Sequence, residues 1–121
     1  FRALKLWFVI RHYGSKGLQS HVRQHIELAK EFETWVSQSK QFELVARRSL
    51  NTVCFAHQHG NAATEAVLQA VNATGKLFAS HTKLHDRYTI RMVVGGRDTE
   101  HRHVLAAWNN FCTTADEVIA P

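Results

Sequence analysis

Cysteine is scarce: Cys54 and Cys112 are the only two, too few for a disulfide framework. Cys54 lies in the apolar run Val53-Cys54-Phe55-Ala56, and Cys112 follows Phe111 on a helical pattern. Both read as small buried hydrophobes. This usage favours a reducing interior, with the cytoplasm as the expected setting. Asn72-Ala73-Thr74 matches the glycosylation sequon, but no signal peptide accompanies it. Long hydrophobic runs are missing as well. The apolar stretch near the start is short and interrupted by Arg2, Lys5 and Arg11, which excludes a spanning helix there. No repeat or low-complexity tract occurs. No G-x-S-x-G elbow is present, and Gly95-Gly96 lacks the spacing of a dinucleotide or nucleotide loop. Charge of one sign is not gathered either. Fifteen Lys and Arg stand against ten Asp and Glu, a net charge of +5. The basic residues are scattered, with Arg47-Arg48 the sole adjacent pair, so no nucleic-acid face is indicated.

What is present reads as one domain of 121 residues with an ordinary 45% hydrophobic content. Leu4, Trp7 and Phe8 lie on one face of a first helix, while Leu6, Val9 and Ile10 lie largely on the other. A helix apolar on both sides is normally buried on both sides. Residues 1–14 are therefore expected to form a connecting helix seated on a part of a larger protein outside this sequence. Residues 15–121 would form the domain itself. Gly14 and Gly17 signal a turn. Leu18, Val22, Ile26, Ala29, Phe32 and Val36 then recur at helical spacing over about 15–39. Arg23 and Glu27 can pair on its outer side. Strands are expected at 42–46 and 51–57, then a helix over 61–72 capped by Asn61 and ended by Gly75. Strands at 77–81 and 88–94 follow. In the latter, Tyr88, Ile90, Met92 and Val94 share a face. Thr99 can cap a last helix carrying Val104, Trp108, Phe111, Ala115 and Val118. The order predicts an α+β fold: about four antiparallel strands with helices packed on one face. Removing Trp108, if it is fully buried, should cost about 3–5 kcal/mol.

Nine histidines raise the question of a metal. His21 and His25 share a helical face, but Val22 stands where a zincin has Glu. His57 and His59 could share a strand face, and His101 and His103 fall in one helical turn. No pair has an evident third ligand, so no metal is assigned. Arg91 points to the strand face opposite Ile90 and Met92, between Thr89 and Val93. If both sheet faces are covered, its guanidinium needs a carboxylate, a phosphate or several carbonyls. On a one-sided sheet it is a solvent-facing residue.

The run Phe1-Arg2-Ala3-Leu4-Lys5-Leu6-Trp7-Phe8-Val9-Ile10-Arg11, followed by Tyr13-Gly14, resembles the helix after the catalytic loop of group II pyridoxal-phosphate-dependent amino-acid decarboxylases. Within that group it is similar to the aromatic-L-amino-acid decarboxylases acting on tyrosine, DOPA and tryptophan. The likeness continues through Gly17-Leu18-Gln19-Ser20-His21-Val22-Arg23, Phe42-Glu43-Leu44-Val45 and Val53-Cys54-Phe55. It then takes in Ser80-His81-Thr82, Tyr88-Thr89-Ile90-Arg91, Thr99-Glu100, His103-Val104 and Trp108, and so covers essentially the whole chain. Departures are few: Asn51-Thr52 replaces the usual Gly-Leu or Ser-Leu, and Ala56-His57 the usual Arg-Leu.

The resemblance implies the C-terminal small domain of a fold-type I enzyme, working as a homodimer. The implied cofactor is pyridoxal 5'-phosphate, bound mainly by an upstream large-domain polypeptide. None of the six lysines follows a His, so the lysine that carries the cofactor is expected upstream and this chain alone is expected to be inactive. The implied reaction removes the α-carboxylate of an aromatic amino acid as carbon dioxide, with the cofactor as electron sink. Arg91 matches the small-domain arginine that approaches the substrate carboxylate or the active-site loop. Phe1 and Arg2 fall near the active-site entrance. The alternatives left open are an aromatic acetaldehyde synthase, a histidine decarboxylase, and a non-enzymatic α+β interaction module. No nucleic-acid or membrane partner is expected.

Overall fold

The computed structural model describes residues 2–119. Helix α1 (Arg2–Gln38) is followed by strands β1 (Phe42–Leu44) and β2 (Thr52–His57), helix α2 (Asn61–Ala73), strands β3 (Ser80–Leu84) and β4 (Arg87–Val93), and helix α3 (His101–Val118). The expected turn around residues 12–17 shrinks to one residue. Gly14 (φ 70°, ψ 174°) breaks α1 into two helical stretches; its positive φ is a conformation that L side chains resist. Gly17 lies inside the second stretch.

The sheet order is β1-β2-β4-β3, antiparallel throughout. Register fixes the two faces, because directly opposed residues point the same way. Val53 opposes Met92, Phe55 opposes Ile90, and Phe42 opposes His57. This face meets the second stretch of α1 together with α2 and α3. Phe32, Phe42, Phe55 and Phe111 interlock at its centre, with Phe55 and Phe111 edge to face at 5.2 Å between ring centroids. Val67, Val71, Ile90 and Val104 close the rest. Helices on one face of four antiparallel strands is the architecture the periodicity implied.

Local differences have local causes. The third strand runs over 80–84, not 77–81. His85 (φ 51°) and Asp86 (φ 61°) form a two-residue turn to β4, and positive φ at both central positions suits the twist of a tight hairpin. Phe78, taken for a strand residue, is 82% exposed. Asn61 does not cap α2, whose N-cap is Gly60. Its amide donates to the Asp86 carbonyl (3.0 Å) and its side-chain oxygen accepts from the Tyr88 N–H (2.9 Å), so it pins the hairpin instead. Thr99 does not cap α3. Glu100 does so, in a reciprocal capping box with His103, while the Thr99 hydroxyl donates to the Gly95 carbonyl. Glu27 pairs with Lys30 at 2.9 Å rather than with Arg23. Trp108 sits at the core's rim, partly buried, so its removal should cost less than the full-burial range.

Candidate functional site

The sheet's second face has no helix over it among the described residues. Register puts Thr52, Cys54 and Ala56 of β2 there, with Thr89, Arg91 and Val93 of β4 and Ser80 and Thr82 of β3. Arg91 opposes Cys54 on one side and Ser80 on the other. Its guanidinium is exposed, with no hydrogen-bond or ion-pair partner among the described residues. Within this chain the sheet is one-sided, so the condition for a buried Arg91 is not met by these residues alone.

The strand that carries Arg91 is held at both ends. At its start stands Asn61, as above. At its end the Asn51 amide donates to the Val94 carbonyl (2.7 Å), and the Val94 N–H donates to the Asn51 carbonyl (2.9 Å). The following loop is tied to α1, where His25 Nε2 lies 3.0 Å from the Gly96 carbonyl.

Neither cysteine is fully buried, a correction to the sequence reading. Cys54 edges onto the open face. Burial pushes its thiol pKa up, and the nearby positive charge of Arg91 offsets part of that rise. The Cys112 thiol is pushed up to about 11, by burial and then by Asp116. The histidines pair without converging. His21 and His25 have ring centroids 6.1 Å apart, and His57 and His59 4.9 Å apart. Among the described residues, no three His, Cys, Asp or Glu side chains gather as a metal site would need.

Phe1 lies outside the described residues. Arg2 opens α1 and is exposed, and no hydrogen bond or ion pair links it to Arg91. The apolar side chains after it are open too: Leu6 is 61% exposed, Trp7 53% and Phe8 58%. The open face also carries a charged pair that periodicity does not reveal, Glu43 with Arg87 at 2.5 Å. The partners are 44 residues apart, so only the strand order could have revealed them.

A pyridoxal phosphate site needs a sheltered lysine amine, an acid for the ring nitrogen and a cradle for the phosphate. All six lysines are exposed. The clefts that lysines border are open to solvent: Lys76 edges a surface groove between α3 and the segment after α2, and Lys40 edges another beside Asp116. The described residues therefore do not fit the cofactor by themselves.

Residues 1–58 match the pyridoxal-dependent decarboxylase conserved domain. The chain is 43% identical over 127 residues to tyrosine decarboxylase 2 of Narcissus pseudonarcissus, covering 99% of this chain and 25% of that protein. It is 46% identical over 115 residues to phenylacetaldehyde synthase of Arabidopsis thaliana, covering 89% of this chain and 24% of that protein. Oryza sativa TDC, solved with PLP and tryptamine, superposes with a TM-score of 0.90 at 34% identity over 98% of this chain and 27% of its own. The chain thus spans about a quarter of the length of the curated relatives it matches. With sequence likeness along its whole length and the same arrangement of helices and strands, the chain belongs to the pyridoxal-dependent decarboxylase family and corresponds to the C-terminal part of that fold.

Proposed function

We propose that this chain is the small-domain part of an enzyme that removes the α-carboxylate of an aromatic L-amino acid, giving the amine and carbon dioxide. One observation carries the role of the chain's own residues: Arg91 is an exposed cation without a partner among the described residues, on an open sheet face whose strand is hydrogen-bonded at both ends. A planar guanidinium in that position suits two parallel hydrogen bonds to a carboxylate. Arg91 binds and orients the substrate carboxylate, or holds the active-site loop that closes over it. The open face and the apolar first stretch of α1 rest against an upstream large-domain polypeptide of the same protein. That polypeptide holds the pyridoxal phosphate and its lysine, and the assembly is a homodimer in the cytoplasm. This chain alone is inactive.

A second reading, an aromatic acetaldehyde synthase, draws on the 46% identity to phenylacetaldehyde synthase. Product analysis separates the two: amine with carbon dioxide for the first, aldehyde for the second. Offering histidine beside tyrosine and tryptophan tests the remaining family alternative. In the complete enzyme, Arg91→Ala should lower kcat/KM by about 10–100-fold, the loss of a charge-assisted hydrogen-bonded pair. The cofactor's absorbance band should remain. Wild-type kinetics in this variant would reject the assignment.

A further inference from the structure

We propose that Arg87 is a positioning residue for the carboxylate site: it holds Glu43 so that Arg91 stays free to bind an external carboxylate. This rests on the reading of Arg91 given above.

The strand residues of the open face include three formal charges: Glu43 on β1, and Arg87 and Arg91 on β4. Their placement makes the two arginines rivals. Glu43 opposes Ala56. Because Phe55 opposes Ile90, Ala56 is level with Thr89 on β4. Arg87 and Arg91 each lie two residues from Thr89, one on either side, so their backbones are about equally distant from Glu43. With strands about 4.8 Å apart and about 3.4 Å per residue, each separation is about 12 Å between Cα atoms. A glutamate and an arginine side chain together can span that. The structure gives the carboxylate to Arg87 at 2.5 Å and leaves Arg91 without one among the described residues.

The pair reaches across β2 over Ala56, the smallest side chain the face could offer there. Ala56 is only 2% exposed and Thr89 is fully buried although no helix among the described residues covers either, as expected if the ion pair roofs them. The Thr89 hydroxyl donates to the Arg87 carbonyl at 3.1 Å, which braces the base of the arginine. A half-exposed ion pair adds little to stability. Its consequence here is the choice of partner. Without Arg87, Glu43 is free to turn to Arg91 and compete with any incoming carboxylate. Upstream parts that cover the face would strengthen that competition by excluding water.

The test is a double-mutant cycle in the complete enzyme. Arg87→Gln should raise KM for the amino-acid substrate about 5–20-fold with kcat nearly unchanged, because it weakens substrate binding rather than chemistry. It should weaken an inert aromatic carboxylate inhibitor, such as 3-phenylpropanoate, by a similar factor. Glu43→Gln alone should leave KM at or below the wild-type value. Adding Glu43→Gln to Arg87→Gln should restore KM, since the competing carboxylate is gone.

An ion pair with only a structural role would show both single variants and the double impaired together, and that pattern would overturn the proposal. So would an unchanged KM in Arg87→Gln. If Arg87→Gln fails to assemble, Glu43→Gln still decides: a raised KM there contradicts the proposal. The underlying reading fails separately. An Arg91→Ala enzyme with wild-type kinetics removes it, whereas an impaired Arg91→Ala beside an indifferent Arg87→Gln removes only the role of Arg87.

Discussion

The two faces of the sheet are built from alternate residues of the same strands, yet they share almost no chemistry. On the helix-covered face, Val53, Phe55 and Ile90 are fully buried in a core of interlocked aromatic rings. The other face carries threonines, a partly exposed thiol, an ion pair and an exposed arginine that has no partner among the described residues. The first face is finished within these 121 residues. The second carries charge arranged as though for something that arrives from outside. The same division runs along α1: residues 28–36 bury Leu28, Ala29, Phe32 and Val36, whereas none of the apolar residues at 4–10 is buried.

The largest effect should come from the finished face. Phe55→Ala removes a fully buried ring from the centre of the aromatic cluster and should destabilise folding by about 3–5 kcal/mol. Val93→Ala on the open face should change stability by about 0.5 kcal/mol or less. Denaturant unfolding of the two variants measures the contrast directly; similar losses would erase the distinction between the faces.

The first stretch of α1 should split according to context. Trp7→Ser with Phe8→Ser removes half-exposed rings. In the chain alone the unfolding midpoint should hardly move. In the complete enzyme the pair should cost about 2–4 kcal/mol, the loss of two side chains buried on docking. Equal effects in the two contexts would mean that this helix docks on nothing.

A smaller effect concerns His57, which is buried beside Phe42 with its Nδ1 accepting the His59 N–H. Burial, and then the neighbouring His59, holds its pKa below the ordinary histidine value of 6.5. As pH falls through about 6.5 the unfolded chain therefore takes up this proton before the folded one. Folded stability should decline on acidification below that point, and His57→Gln should flatten part of the decline. A pH series of unfolding midpoints with no such difference would contradict it.

The helical stretches were legible because amphipathic periodicity survives any tertiary arrangement: Phe32, Val36, Val67, Val71, Val104 and Phe111 all face the core as their spacing implied. Val118 kept the spacing but is 40% exposed at the last residue of α3. The third strand was misplaced because its turn uses His85 and Asp86, where a glycine or asparagine would have signalled positive φ. Arg91's face was readable from alternation along one strand. Its lack of a partner was not, because that depends on Glu43 being held by Arg87 two strands away. Such pairings depend on strand order and register, which local sequence does not encode. The cysteines were read as buried because their neighbours are apolar, but in a strand those neighbours point the other way, as Cys54 does from Val53 and Phe55.

The contrast between the faces comes down to whether Arg91 meets a carboxylate. The direct measurement compares two ligands of the complete Arg91→Ala enzyme: the aromatic amino acid, and the amine that lacks only its carboxylate. Affinity for the amino acid should fall about 10–100-fold while affinity for the amine is unchanged. Equal weakening of both, or of neither, would mean that Arg91 meets no substrate carboxylate.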